Sequence, residues 1–282
     1  MSVAESARAR LATALLGRVA GDDHRDKHDR IHFSPGDRWF EPGSAIQRVH
    51  GDASMFVGGL RALLLQSLHP QAMAAVAGHS GYRGDPWGRL QRTSTFLAVT
   101  TFGTAADAER VVGHVRDVHE RVRGKDEDGV PYRASDPHLL DWVHVAEVDS
   151  FLRAHQLYGE NPLDPTGCDE YVAQAAVVAR KLGGVDVPTD VAALERALAR
   201  YRGELRGTQA ARDAARFLLV HPPLPLAARM PYGALAGAGV AMLPRWTRRP
   251  LGLPYAPPVE ATVVRASGHA MVRAIRWALA DF

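Results

Sequence analysis

Alanine, leucine, arginine and glutamate recur at three- and four-residue spacings along almost the whole chain, the period that lines up one face of an α-helix. The opposite signal, runs of Val, Ile and Thr parted by Asn-Gly or Asp-Gly turns, is lacking. The pattern predicts an all-α bundle of about ten helices, near residues 3 to 20, 52 to 78, 85 to 102, 104 to 124, 136 to 159, 168 to 182, 189 to 203, 207 to 219, 230 to 243 and 258 to 280. Asp85-Pro86, Asp136-Pro137 and Pro188-Thr189-Asp190 put capping carboxylates or proline where the first N–H groups of a helix lack partners. Gly103, Gly124 and Gly183-Gly184 follow periodic runs and can take the left-handed conformation that ends a helix.

With 282 residues, 46% hydrophobic and 23% charged, the chain can bury a substantial core. It shows neither an internal repeat nor a low-complexity linker. Residues 1–44 read as a helix followed by a polar surface arm, rich in Asp, His, Arg, Gly and Pro between Gly21 and Pro42, and residues 45–282 as one helical domain. Lys and Arg outnumber Asp and Glu by only 34 to 31 and are scattered, so nucleic acid is not an expected partner. The single cysteine, Cys168, excludes a disulfide framework and a multi-thiolate metal site and fits a reducing compartment. The first residues form no uninterrupted apolar run of the secretory kind, so a cytoplasmic location is expected. The least polar stretch, Met230 to Pro244, falls about five residues short of the roughly 20 a membrane span needs. It reads as a buried helix or a substrate-channel wall, which excludes spanning and leaves peripheral membrane contact open.

Candidate chemistry centres on the stretch from Ala105 to Gly124, where Arg116, His119 and Arg123 stand at i, i+3 and i+7 beside a valine stripe. A neutral imidazole ligates haem iron, and guanidinium groups one turn away can pair with haem propionates; a solvated Arg-rich face is the plainer alternative. Arg89 and Thr93 share a face at i, i+4 with Phe96, Leu97 and Thr100 and could line the far side of a cofactor pocket, although a threonine hydroxyl in a helix commonly bonds back to a carbonyl. His69 precedes Pro70 inside an apolar run, where proline must kink the helix and free a carbonyl, so it is a second pocket candidate as well as an ordinary core histidine. His24, His28 and His32 would offer a zinc or nickel site only if the arm were helical. His138 and His144, six apart around Trp142, fall on different faces. The chain has no Cys-x-x-Cys-His, P-loop, Gly-rich dinucleotide turn, Gly-x-Ser-x-Gly or His-Glu-x-x-His motif, so any haem would be non-covalent.

Taken in order, LRALLLQSLHP, GRLQRTSTFLAVTTFGT with Arg89 and Thr93, the Arg116-x-x-His119-x-x-x-Arg123-Gly124 segment, YRASDPHLLDWVH and LPRWTRRPLGLPY resemble the DUF2236 family over roughly residues 45 to 260. This is the catalytic domain shared by latex-clearing rubber oxygenases and the MpaB-type oxygenase of mycophenolic acid biosynthesis. The resemblance implies a globin-related helical fold, one non-covalent haem b, and O2-dependent oxidation of a small apolar, isoprenoid- or phenol-like substrate. By the same resemblance His119 is the axial iron ligand, Arg116 and Arg123 are its supporting cations, and Arg89 and Thr93 are the pair on the helix of the catalytic pocket, to which the kink reading adds His69. A haem sensor or carrier without turnover, and a helical scaffold without cofactor, are the other readings open to the sequence.

Overall fold

A computed structural model describes residues 3–79, 81 and 84–280, and the fold is all-α as expected. The chain runs α1 Val3–Val19, α2 His24–Phe33, α3 Ala45–His50, α4 Met55–Gln66, α5 Pro70–His79, α6 Pro86–Phe102 and α7 Ala105–Arg121. A short antiparallel hairpin, β1 Arg123–Lys125 and β2 Pro131–Arg133, follows, then α8 Pro137–Tyr158, α9 Pro165–Leu182, α10 Val191–Tyr201 and α11 Gln209–Leu219. The chain continues with α12 Leu226–Ala241, α13 Arg245–Arg248, α14 Pro257–Val259, a π-helical turn Glu260–Val264 and α15 Arg265–Leu279.

Caps explain where the helices begin. Asp85, Asp136, Asp164 and Asp190 accept backbone N–H bonds from Gly88, His138, Gly167 and Ala193 at 2.9, 2.9, 2.7 and 2.6 Å, and Thr104 and Thr208 do the same for Asp107 and Ala211. Each such cap contributes about 1 kcal/mol. The stops follow the glycines less closely. Gly183 is left-handed at φ 112, whereas Gly103 is extended and Gly124 lies in β1, because the helix before it already ends at Arg121.

The centre of the fold is α4 lying along α8, with α12 across α4, and α9 and α10 on the far side of α8. The approach is close because Gly58 has no side chain: a Cβ there would stand 2.9 Å from the Phe151 ring. Trp142 and Tyr171 are wholly buried, and Leu64, Leu65, Leu68 and Val145 pack with them in the main core. A second core joins Val57, Ala154 and Tyr158 to Leu235 of α12 and to Val272 and Ile275 of α15. The expected single helix over residues 52 to 78 is broken into α4 and α5 at Ser67–His69, since Pro70 cannot donate the next helical bond and instead opens α5.

The arm is not irregular. Its residues 24–33 are helical with Ile31 buried, and Phe40 belongs to the main core. Arg38 fastens it by donating to the carbonyls of Ile31 at 3.0 Å, His32 at 2.9 Å and Ser34 at 3.2 Å, and also to that of Phe102 at the end of α6. The apolar stretch expected to be buried starts earlier, at Leu226, and only its second half, around Leu235 to Gly239, is covered; Leu226 and Met230 face solvent. Among the described residues, no helix is long and apolar enough to cross a membrane.

Candidate functional site

Helix α7 packs on α6 and α9 and delivers His119 in its last turn. The Thr104 cap fixes its start; at its end the N–H of Val122 donates to the His119 carbonyl, and Val122 turns to φ −85, ψ 106. His119 is half-buried, its Nδ1 is shut off from solvent without a hydrogen-bond partner, and burial holds the imidazole below its ordinary pKa against the opposing pull of Glu120. The ring is therefore neutral at neutral pH and has an uncommitted nitrogen, the condition a metal ligand must meet.

Arg116, one turn before it, is exposed. Arg123 does not continue the helical face expected of it: Val122 is already extended, so Arg123 opens β1, where it stands opposite Arg133. Opposed residues of an antiparallel pair share a sheet face, so two exposed guanidinium stems lie side by side just beyond His119. Arg133 was not singled out by sequence, because the hairpin that presents it is built from Arg-Gly-Lys and Pro-Tyr-Arg rather than a β-branched run. The available signal was the turn Asp126 to Gly129, where the Asp126 carboxylate accepts the N–H groups of Asp128 and Val130 and Gly129 takes φ 80.

On α6, Arg89 is half-buried and Thr93 exposed. The Thr93 hydroxyl donates to the Arg89 carbonyl at 3.1 Å, the helical back-bond, so its proton is used within α6. His69 has neighbours on other helices. It is 3% exposed at the break between α4 and α5, where its ring meets Trp142 and His138 of α8 and Tyr201 of α10, with ring centroids 6.2, 6.0 and 6.5 Å away. The freed carbonyl expected at this kink exists: Gln66 oxygen accepts the Trp142 indole N–H at 3.2 Å. Thus the structure gathers His119 with arginines at the end of α7 and gathers His69 with α8 and α10.

The arm histidines are on a helix, and the His28 and His32 rings stand 4.5 Å apart, but the three do not form a three-ligand group. His24 bonds the Gly21 carbonyl, His28 pairs with Asp29, and His32 packs on Phe102. His138 and His144 diverge as their spacing requires; His144 is half-buried and its pKa is pushed down to about 4, by burial first and Arg180 second.

A family model described as "ER-bound oxygenase mpaB/B'/Rubber oxygenase, catalytic domain" matches residues 47–277. The chain is also similar to an uncharacterized protein of Mycobacterium bovis, 38% identical over 85 residues, which is 30% of this chain and 32% of that protein. The same identity and coverage hold for an uncharacterized protein of Mycobacterium tuberculosis. The match spans about a third of the length of these curated relatives. No solved structure matches.

Proposed function

Since the chain belongs to the family of MpaB and rubber-oxygenase catalytic domains and oxygenase-type chemistry follows from that membership, we propose that it is a haem b-dependent oxygenase of a small apolar substrate, with His119 as the iron ligand. The observation that carries the proposal is the His119 ring itself: half-buried, neutral, and with Nδ1 shielded from water and unpartnered. A buried ring nitrogen without a partner costs about 1–3 kcal/mol, a penalty that ligation of iron through that nitrogen would relieve.

The residues present fit such a group. His119 would hold the iron, and the exposed guanidinium groups of Arg116 and Arg123 supply the positive charge that two propionates need. Arg89 is one of the two arginines of α6, on the same helix as the exposed Leu90 and half-buried Phe96, apolar groups suited to an isoprenoid- or phenol-like molecule. Haem, when bound, would supply O2 activation; His119 would hold its iron, and the chain would orient the substrate and exclude water. Thr93 serves as an acceptor or packing residue rather than a donor while its proton stays on the Arg89 carbonyl.

The test is the absorption spectrum and haem content of the purified protein beside those of His119→Ala. A Soret band present in the wild type and lost in the variant supports the reading, and equal bands sink it. Oxygen uptake with isoprenoids, sterols and phenols then separates an oxygenase from a haem carrier, which would give the band without substrate-dependent uptake.

A further inference from the structure

Away from α7, three side chains from separated parts of the chain converge. His69 lies at the α4–α5 break, His138 in the first turn of α8, and Glu204 just past the end of α10. One ligand atom from each lies within 4.8 Å of the other two, the only such grouping of three His, Cys, Asp or Glu among the described residues. Glu204 Oε2 is 2.7 Å from His138 Nε2 and 3.5 Å from His69 Nε2.

A hydrogen-bonded His138–Glu204 pair would account for those two residues, but not for His69. Its side chain is 3% exposed, and neither ring nitrogen makes a hydrogen bond, although Nε2 faces the carboxylate. Buried polar groups in folded proteins are almost always satisfied, so an uncommitted imidazole aimed at a half-exposed His–Glu pair points to a missing partner that accepts lone pairs.

We propose that His69, His138 and Glu204 form a binding site for a first-row divalent transition-metal ion of the zinc or ferrous type. Two imidazoles and one carboxylate are the donor set such ions select, and three protein ligands leave further positions for water. His138 and Glu204 are 51% and 47% exposed, so an ion can enter and water can complete its shell. The ligands are also held in place. The Arg206 N–H donates to the Leu68 carbonyl at 2.9 Å, tying the Glu204 segment beside His69. Tyr201 packs against the His138 ring at 4.8 Å and donates its hydroxyl to the His138 carbonyl at 2.9 Å. Asp136 caps the turn by accepting the His138 N–H. Such outer contacts orient a ligand before the metal arrives.

The site stands independently of haem at His119. The experiment uses tag-free protein stripped with a chelator and titrated with Zn2+ against a chromophoric competitor. One equivalent is expected to bind at roughly 10 µM or tighter, and affinity should fall by about 100-fold or more in His138→Ala and in Glu204→Gln. Both substitutions are at half-exposed side chains, and circular dichroism checks that each variant is folded; Co2+ added to the wild type gives visible bands that report imidazole coordination without any variant. Absence of stoichiometric binding in the wild type overturns the site, as does binding unchanged in both variants, which would assign the ion to stray histidines such as those of α2. His119→Ala leaves Zn2+ binding intact, so failure of the metal site and failure of the haem reading are told apart.

Discussion

Arg61 of α4 donates through Nη2 to Asp149 Oδ2 of α8 at 2.6 Å, with the two side chains 1% and 3% exposed. Each guanidinium nitrogen is engaged: Nη1 donates to Ser150 Oγ at 2.6 Å and Nε to the Met242 carbonyl at 3.0 Å, so one residue ties α4, α8 and the end of α12. Asp149 also accepts from Arg153 at 2.7 Å. Charges this deep are costly to bring in and costlier to strand. Arg61→Met is therefore expected to destabilise by about 3–5 kcal/mol, while Arg61→Met with Asp149→Leu recovers part of that loss. Urea unfolding of the two variants decides it; a loss under about 1 kcal/mol for the single change would show that the pair contributes little.

Acid lability follows from buried histidines. His50 keeps a narrow exposed edge, but dense packing by Phe151 and Tyr171 pushes its pKa down to about 3, and His144 is held at about 4. The unfolded chain takes up these protons near the ordinary value of 6.5, where the folded chain does not. The associated stability is thus complete above that pH and is lost as pH falls towards 4 and then 3. At about 1.4 kcal/mol per pH unit for each group, the pair removes about 3 kcal/mol per unit, enough to unfold a domain of ordinary stability near pH 4 to 5. Urea midpoints that stay flat from about pH 7 down to 4.5 would contradict this.

Much of the architecture was legible because it rests on local chemistry. Asp85, Asp136 and Asp190 cap helices where the sequence placed them, since a cap needs only its own next turn. Helix α2 was hidden because its buried apolar side chain is Ile31 alone and its anchoring comes from Arg38, whose bonds reach as far as Phe102. Arg123 was read one turn too far along α7 because its spacing continues the helix while the Val122 backbone leaves it. The partners of His69 could not be read at all. His138 and Glu204 are brought to it by the packing of α8 and α10, and no periodic pattern links residues so far apart in the chain.

Glu147 should impose the opposite pH slope. Burial raises its carboxyl from 4.5 to about 7. The folded chain then retains a proton that the unfolded chain releases, so this contribution is present below pH 4.5 and is lost as pH rises through 7. Histidines act in the contrary sense over the same interval, so the contribution is visible as a difference. Glu147→Gln is expected to gain on the wild type as pH rises from about 5 to 8, by at most about 3 kcal/mol. Parallel stability curves for the two proteins across that range would rule the effect out.

The last prediction concerns Arg123 and Arg133, whose guanidinium stems share one face of the hairpin just after His119. Like charges directly opposite one another weaken a strand pair by a few tenths of a kcal/mol. If an anionic carboxylate of a bound cofactor lies between or near them, that repulsion becomes attraction. Neutralising either residue should then have opposite effects on the two states of the protein. Arg123→Gln is expected to leave the cofactor-free protein as stable as the wild type or slightly more so, and to weaken haem retention by about 2- to 5-fold, the scale of one exposed charge pair. Arg133→Gln should relieve the same repulsion, since Arg133 is the cross-strand partner of Arg123. Thermal melts of the haem-free proteins and haem transfer to an apo-globin acceptor measure the two quantities separately. A loss of stability in the haem-free Arg123→Gln protein, with retention unchanged, would mean that Arg123 serves the hairpin and not the cofactor.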